Sequence, residues 1–282
     1  MMGFDESLSG AHIISREKAC KCSRLYDGKL IDLDGNVLKE WKNRYMGVIS
    51  DGFYYAQKGY EEKLWGKYSM DDEIIWEKEE AIHHDIFVSD SIITFSKECH
   101  KYKGRMVDFD IILEYDFDGN EIGRFSFWEN LKYFKKFHKK LELDLPKFFL
   151  FPELVKKKEK TPWGGNYDYY RLNSIQKIPS NDREKEHKLF ERGNFLISFR
   201  HGSMIFILDK DKKVIWKAIY NDIPGNIEGP HSPSMLKNGN ILIFDNGRYR
   251  GYSRVIEIDP VTYEIKWEFR KEGFFTLSQG NA

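Results

Sequence analysis

The chain has 282 residues, with 45 Lys and Arg balanced by 45 Asp and Glu, 41% hydrophobic residues and 16% aromatic ones. The absence of net charge argues against nucleic acid or an anionic membrane as partner, and no run approaches the ~18 apolar residues of a membrane-spanning helix. The opening MMGFDESLSG lacks a basic start followed by an apolar stretch, which sets the expectation of a cytoplasmic protein with no secretion signal.

Residues 11–41 read as a first module, AHIIS, SRLYDGKLIDL, the turn Asp34-Gly35-Asn36 and VLKEW. Cys20 and Cys22 lie in its lead-in, too close in an extended strand for an ordinary bridge, and together with Cys99 are expected to be reduced thiols rather than metal ligands. Residues 43–77 form a second, more diverged unit, with Gly59 and Gly66 weakening two of its strands. The third, 82–128, carries ECHKYKGR as an expected loop insertion between its second and third strands.

Residues 129–170 break this pattern. NLKYFKKFHKKLEL places Leu131, Phe134, Phe137 or His138 and Leu141 on one side and lysines on the other, which predicts an amphipathic helix ending before Pro146. A loop follows, and the whole excursion is expected to act as a lid or brace. Residues 173–217 resume the strands, with SNDREKEHKLFERGN as a polar surface loop, and 231–269 complete a further unit. Residues 274–282 look like the start of an unfinished blade. The Asp-rich turns at Asp32, Asp116 and Asp209 sit between alternating runs and lack the glutamate of a calcium loop, so they read as hairpin turns.

Each unit holds four short alternating runs and ends in Trp, and the repeat recurs at roughly 40 to 50 residues, the sequence form of a β-propeller. The expected fold is all-β, a six-bladed type of propeller with four-stranded blades, in one domain spanning 1–282. Superposing the second strands aligns Thr94, Ile197 and Ile243. That register also aligns Lys97, Arg200 and Asn246, and it aligns His84, Asn173 and His231 at the first-strand starts. First strands run beside a propeller's axis, so these groups are expected to converge on a central cavity. His83 is expected to point away from His84 as structural filling, since neighbours on a strand face opposite ways. His12, His100, His138, His187 and His201 are taken as incidental.

HHDI with its following strands, LNSIQ followed by LISFRHGS, and GPHSPSMLKNGNILIFDNG with SRVIEIDPVTYEIKWEF together resemble the bacterial arylsulfotransferase family of PQQ-like propellers. The resemblance implies transfer of a sulfuryl group from a phenolic sulfate donor to a phenolic acceptor through a transiently sulfated histidine, without metal or other cofactor. His231 matches that histidine, His84 another funnel histidine, Asn173 the asparagine before the family's serine, and Arg200 the arginine of its S-x-R strand. Lys97, Arg171 and Asn246 are the expected substrate-binding neighbours. Two positions depart from the family: Arg171 stands where a histidine is common, and Ser232 where an aspartate is usual.

The residue types suit that chemistry. Neutral imidazole is a competent nucleophile near pH 7, and a sulfuryl group in transfer needs donors and positive charge around its oxygens. The alternative is a catalytically inactive propeller serving as a binding or interaction module, whose exposed sheet edge could pair with another chain.

Overall fold

The computed structural model describes residues 23–26, 28–42, 44–58, 63–138, 161–165 and 167–281. The AHIIS strand, Cys20, Cys22, Gly59, Leu141 and the loop after the helix fall outside these residues. The chain divides into two compact units, Met1–Glu80 and Ala81–Ala282.

In the first unit, β1 (Arg24–Tyr26), β2 (Lys29–Ile31) and β3 (Val37–Glu40) form a three-stranded antiparallel sheet. The turn between β2 and β3 is built by Asp32, whose Oδ1 accepts the N–H groups of Asp34 at 2.9 Å and Asn36 at 2.8 Å. The carboxylate therefore serves the backbone. Four strands follow in sequential order, β4 (Arg44–Ser50), β5 (Phe53–Lys58), β6 (Leu64–Ser69) and β7 (Ile74–Glu79). Trp41, Tyr54, Ala56 and Tyr68 form their core. Gly66 does not weaken β6 as expected: a Cβ there would collide with the Trp76 carbonyl, so glycine is what lets the strands close.

The second unit begins with β8 (Ile86–Val88), β9 (Ile92–Tyr102), β10 (Arg105–Tyr115) and β11 (Glu121–Ser126). ECHKYKGR is therefore mostly strand, contrary to the loop expected there. The period-two alternation continues through it, putting His100 and Tyr102 on one face, where His100 stacks on Trp128 at 4.4 Å and Tyr102 meets Phe109 edge-on at 5.9 Å. A short strand, β12 (Tyr167–Asp168), pairs parallel with β10 and sets Asp168 opposite Asp108.

The predicted helix is present as α1 (Leu131–His138) within the described residues. Leu131 and Phe134 are buried, and Phe134 packs 4.9 Å from Phe127 and 6.0 Å from Phe206 of the next sheet. That next sheet is β13 (Leu172–Lys177), β14 (Phe195–Phe199), β15 (Met204–Leu208) and β16 (Val214–Ile219), and every residue of β14 and β15 is buried. The SNDREKEHKLFERGN stretch is more than a surface loop. It holds a 3₁₀ turn over Lys188–Phe190 that buries Leu189 and Phe190, its first turn capped by His187.

The final sheet is β17 (His231–Met235), β18 (Ile241–Asp245), β19 (Arg254–Ile258) and β20 (Ile265–Phe269). Trp216 of β16 donates its indole N–H to the Pro260 carbonyl at 2.6 Å and stacks on Tyr263. The Trp that ends the preceding unit thus pins one blade to the next.

The described residues thus contain five blade-like sheets of an all-β propeller, not six. Residues 274–281 form no strand, contrary to the unfinished blade expected there. Their backbone groups bond to side chains of the last sheet instead of to a ladder: Ser253 Oγ accepts from the Thr276 N–H at 2.9 Å, and Asn246 Nδ2 donates to the carbonyls of Thr276 at 3.0 Å and Gln279 at 2.7 Å.

Candidate active site

His84, Asn173 and His231, aligned at the first-strand starts, occupy irregular backbone. Asn173 is the extra residue in a bulge between Leu172 and Ser174, and the β17–β18 ladder shifts register between His231 and Ser234. His84, Arg171 and Ser232 all have positive φ, at 65°, 56° and 46°. Such conformations re-aim side chains that regular strands would send elsewhere, and they cluster at functional sites.

His231 is buried. Its Nδ1 lies 3.0 Å from the Gly229 carbonyl and 2.6 Å from Asn246 Oδ1. Asn246 spends its amide N–H groups on the Thr276 and Gln279 carbonyls, so its oxygen is the atom facing the imidazole. Two acceptors place the His231 proton on Nδ1 and leave the lone pair on Nε2, where the Gln279 N–H reaches it at 3.3 Å. Burial pushes the His231 pKa down to about 4, and Arg200 and Arg171 add to the effect, so the ring is neutral at pH 7.

Asn173, in β13 of the preceding sheet, reaches the residue before His231. Its amide donates to the Pro230 carbonyl at 2.8 Å, and its oxygen accepts from Ser198 Oγ. One amide hydrogen remains for a ligand. Arg200 and Arg171 meet through their backbones, the Arg200 N–H donating to the Arg171 carbonyl at 3.1 Å. Burial leads in lowering the Arg200 pKa to about 10, with the neighbouring Arg171 charge next.

His84 lies beside His83, with Nδ1 atoms 2.7 Å apart. The expectation that these two rings point apart is overturned, because positive φ at His84 breaks the alternation. Burial first, then His83, Arg171 and Lys97, hold the His84 pKa well below its ordinary value. Lys97 does not stand beside Arg200 as a second free cation. Its ammonium is paired with Asp168 at 2.5 Å and lies 3.8 Å from Asp110. Buried charge needs such pairing. Burial alone would raise both carboxyls. Lys97, His201 and Arg171 outweigh it at Asp168, which is lowered, whereas Asp110 is pushed up to about 7.

His201 is the residue sequence reasoning missed. It is 3% exposed, and neither ring nitrogen has a hydrogen-bond partner among the described residues, nor do the buried Nε atoms of Arg171 and Arg200. Burial takes its pKa down to about 3, so it is a neutral ring, next to two arginines, able to donate to an anion. The signal was its place: the residue after Arg200, at the end of a strand with no exposed position. Asp108 and Asp110, alternate acids in the apolar run VDFDIIL, similarly flagged a buried polar face.

Arg171 acts on the titration of His84, His201, His231 and Arg200 alike, so these four groups share one electrostatic neighbourhood. Among the described residues no cluster of His, Cys, Asp and Glu could hold a metal ion. The arrangement offers a neutral imidazole lone pair, a second histidine and several unsatisfied N–H donors, which suits an anionic group in transfer.

Residues 104–222 match the family described as Arylsulfotransferase (ASST). The matched segment contains Arg171, Asn173, Arg200 and His201, whereas His84, Lys97, His231 and Asn246 lie outside it. No curated protein matches the chain. Among solved structures, the chain is similar to a protein of unknown function from Bacteroides caccae at 11% identity and TM-score 0.44, over 86% of this chain and 68% of that one. It is similar to the Dos1 propeller at 13% identity and TM-score 0.43, over 88% and 52%. A third is the Neurospora crassa Pan2 WD40 domain, at 9% identity and TM-score 0.42, over 80% and 49%. The chain spans about half the length of the last two.

Proposed function

We propose that the protein is an aryl sulfotransferase that moves a sulfuryl group from a phenolic sulfate to a phenolic acceptor through a sulfohistidine at His231. The observation that carries this reading is the His231 hydrogen-bond pattern: both acceptors sit at Nδ1, which leaves the Nε2 lone pair as the nucleophile. In the first half-reaction Nε2 attacks sulfur, the S–O bond to the donor breaks, and a phenolate leaves. The ring then carries positive charge, and its Nδ1–H points at the Gly229 carbonyl and Asn246 oxygen, both of which favour the cation. In the second, an acceptor phenol attacks sulfur and the N–S electron pair returns to Nε2. Arg200 and Arg171 supply charge and planar donors for the sulfuryl oxygens, with Asn173 and His201 as further donors. His84 serves as proton-transfer partner.

Incubation with 4-nitrophenyl sulfate and phenol should release nitrophenolate. His231→Ala should lower that rate by about three orders of magnitude or more, as removal of a nucleophile does. Equal turnover by the variant would remove the mechanism.

A second reading, an inactive propeller that binds an anion, is favoured by two contacts. The Gln279 N–H already occupies Nε2, and Arg200 Nη2 donates to the Leu277 carbonyl at 3.2 Å. It predicts no turnover, with sulfate or an aryl sulfate still bound in a calorimetric titration.

A further inference from the structure

We infer that His83 is a positioning residue for His84, fixing the proton of the His84 ring on Nδ1 and its lone pair on Nε2, so that His84 is the base that takes the proton of the acceptor phenol. The argument begins with which atoms can only accept. His83 Nε2 is 3.3 Å from the Ser96 carbonyl, which has no proton to give, and its other close neighbour is Asp110 Oδ1, also at 3.3 Å. A bare Nε2 would set a lone pair against the Ser96 carbonyl, so Nε2 carries the hydrogen. Burial and the neighbouring Lys97 keep His83 neutral, with its pKa well below the ordinary value. A neutral ring with hydrogen on Nε2 has a lone pair on Nδ1.

That lone pair faces His84 Nδ1 at 2.7 Å. Two lone pairs cannot meet at this distance, so the His84 Nδ1–H donates to His83 Nδ1. His84 is also held neutral, which strips its Nε2 of a proton. The orientation is locked from outside the pair. The Trp163 ring meets the His83 ring edge-on at 5.5 Å, its own N–H donating to the Ala81 carbonyl at 2.9 Å, and Phe95 flanks His83 at 5.8 Å. The positive φ of His84, 65°, is what turns its ring onto its neighbour's. Conformational strain is thereby spent on setting a tautomer, as second-layer partners do for other reactive imidazoles.

The tautomer stands on this geometry together with the neutrality of both buried rings. The role as base rests on the sulfuryl-transfer reading. In that step the phenol O–H bond breaks, its proton goes to His84 Nε2, the oxygen bonds to sulfur, and the N–S pair returns to His231. The resulting imidazolium later gives its proton to the departing donor phenolate or to water, which closes the balance.

The test begins with nitrogen spectra of the full chain labelled with ¹⁵N-histidine at pH 7, the His84 ring assigned by its disappearance in His84→Gln. The expected result is a protonated Nδ1 and a bare Nε2 at His84. A proton on Nε2 would overturn the proposal, whether or not the protein transfers sulfate. His83→Phe should let the His84 proton redistribute to Nε2. His83→Gln, whose amide can accept from His84 and donate to Ser96, should restore the wild-type pattern. Where turnover is seen, His83→Phe should slow transfer to phenol about 10- to 100-fold, the scale of a lost general base, while leaving kcat/KM for the donor unchanged. Transfer to a strongly acidic phenol, which needs no base, should be spared. Equal slowing for both acceptors would overturn the role and leave the tautomer standing.

Discussion

Arg171 carries a charge that reaches every imidazole of the candidate site. Exchanging it for Gln should raise the pKa of His231 and His84 and weaken sulfate binding about tenfold, read by titration calorimetry and by the acid limb of any turnover. In the wild-type chain that acid limb should fall near pH 4, the value to which burial lowers His231, and not near 6.5. The sign for stability follows. His231 and His201 bind protons more readily when unfolded, so their contribution is complete above about pH 6.5 and declines as pH falls toward 4, visible as a lower melting temperature. Asp110, raised to about 7, acts oppositely, and its contribution is lost as pH rises through that value. His201→Phe should leave the melting temperature unchanged or higher, because it removes two buried unpartnered nitrogens, yet weaken sulfate binding. The repeat register singled out His84, Asn173, Arg200 and His231 as candidates, since repeats fix equivalent positions. His83 and His201 were not, because their use depends on a positive φ and on a strand whose burial only the folded sheets reveal.

At the level of elements, α1 was readable from its apolar spacing, but its partners were not. Phe134 sits among Phe127, Phe125 and Phe206, joining two sheets that lie far apart in sequence. Truncation to Ala should cost about 3–5 kcal/mol, measured as a lower urea midpoint at constant slope. The β9–β10 hairpin was misread because His, Glu and Lys inside ECHKYKGR look like loop composition, whereas alternation, not polarity, sets a strand. The closing stretch was misread for the reverse reason: GFFTLSQGNA has apolar residues without a partner strand, and its carbonyls go to Asn246 and Arg200.

Across the whole molecule, burial is graded within each sheet. β14 and β15 are buried throughout, while β3 and β20 are exposed along most of their length. Native-state hydrogen exchange should be slowest for β14 and β15 amides and fastest for β20. The propeller class and the places of all five sheets were legible because turn chemistry and Trp recur with the repeat. The number of blades was not, since a count depends on where backbone partners are found.

Left-handed backbone at His84, Arg171 and Ser232 also sets heat resistance against chemistry. Glycine would relieve about 1 kcal/mol at each such position. Selection for thermal tolerance alone should therefore erode these three positions early, whereas selection that also demands the reaction should hold two of them, His84 and Arg171, against the drift.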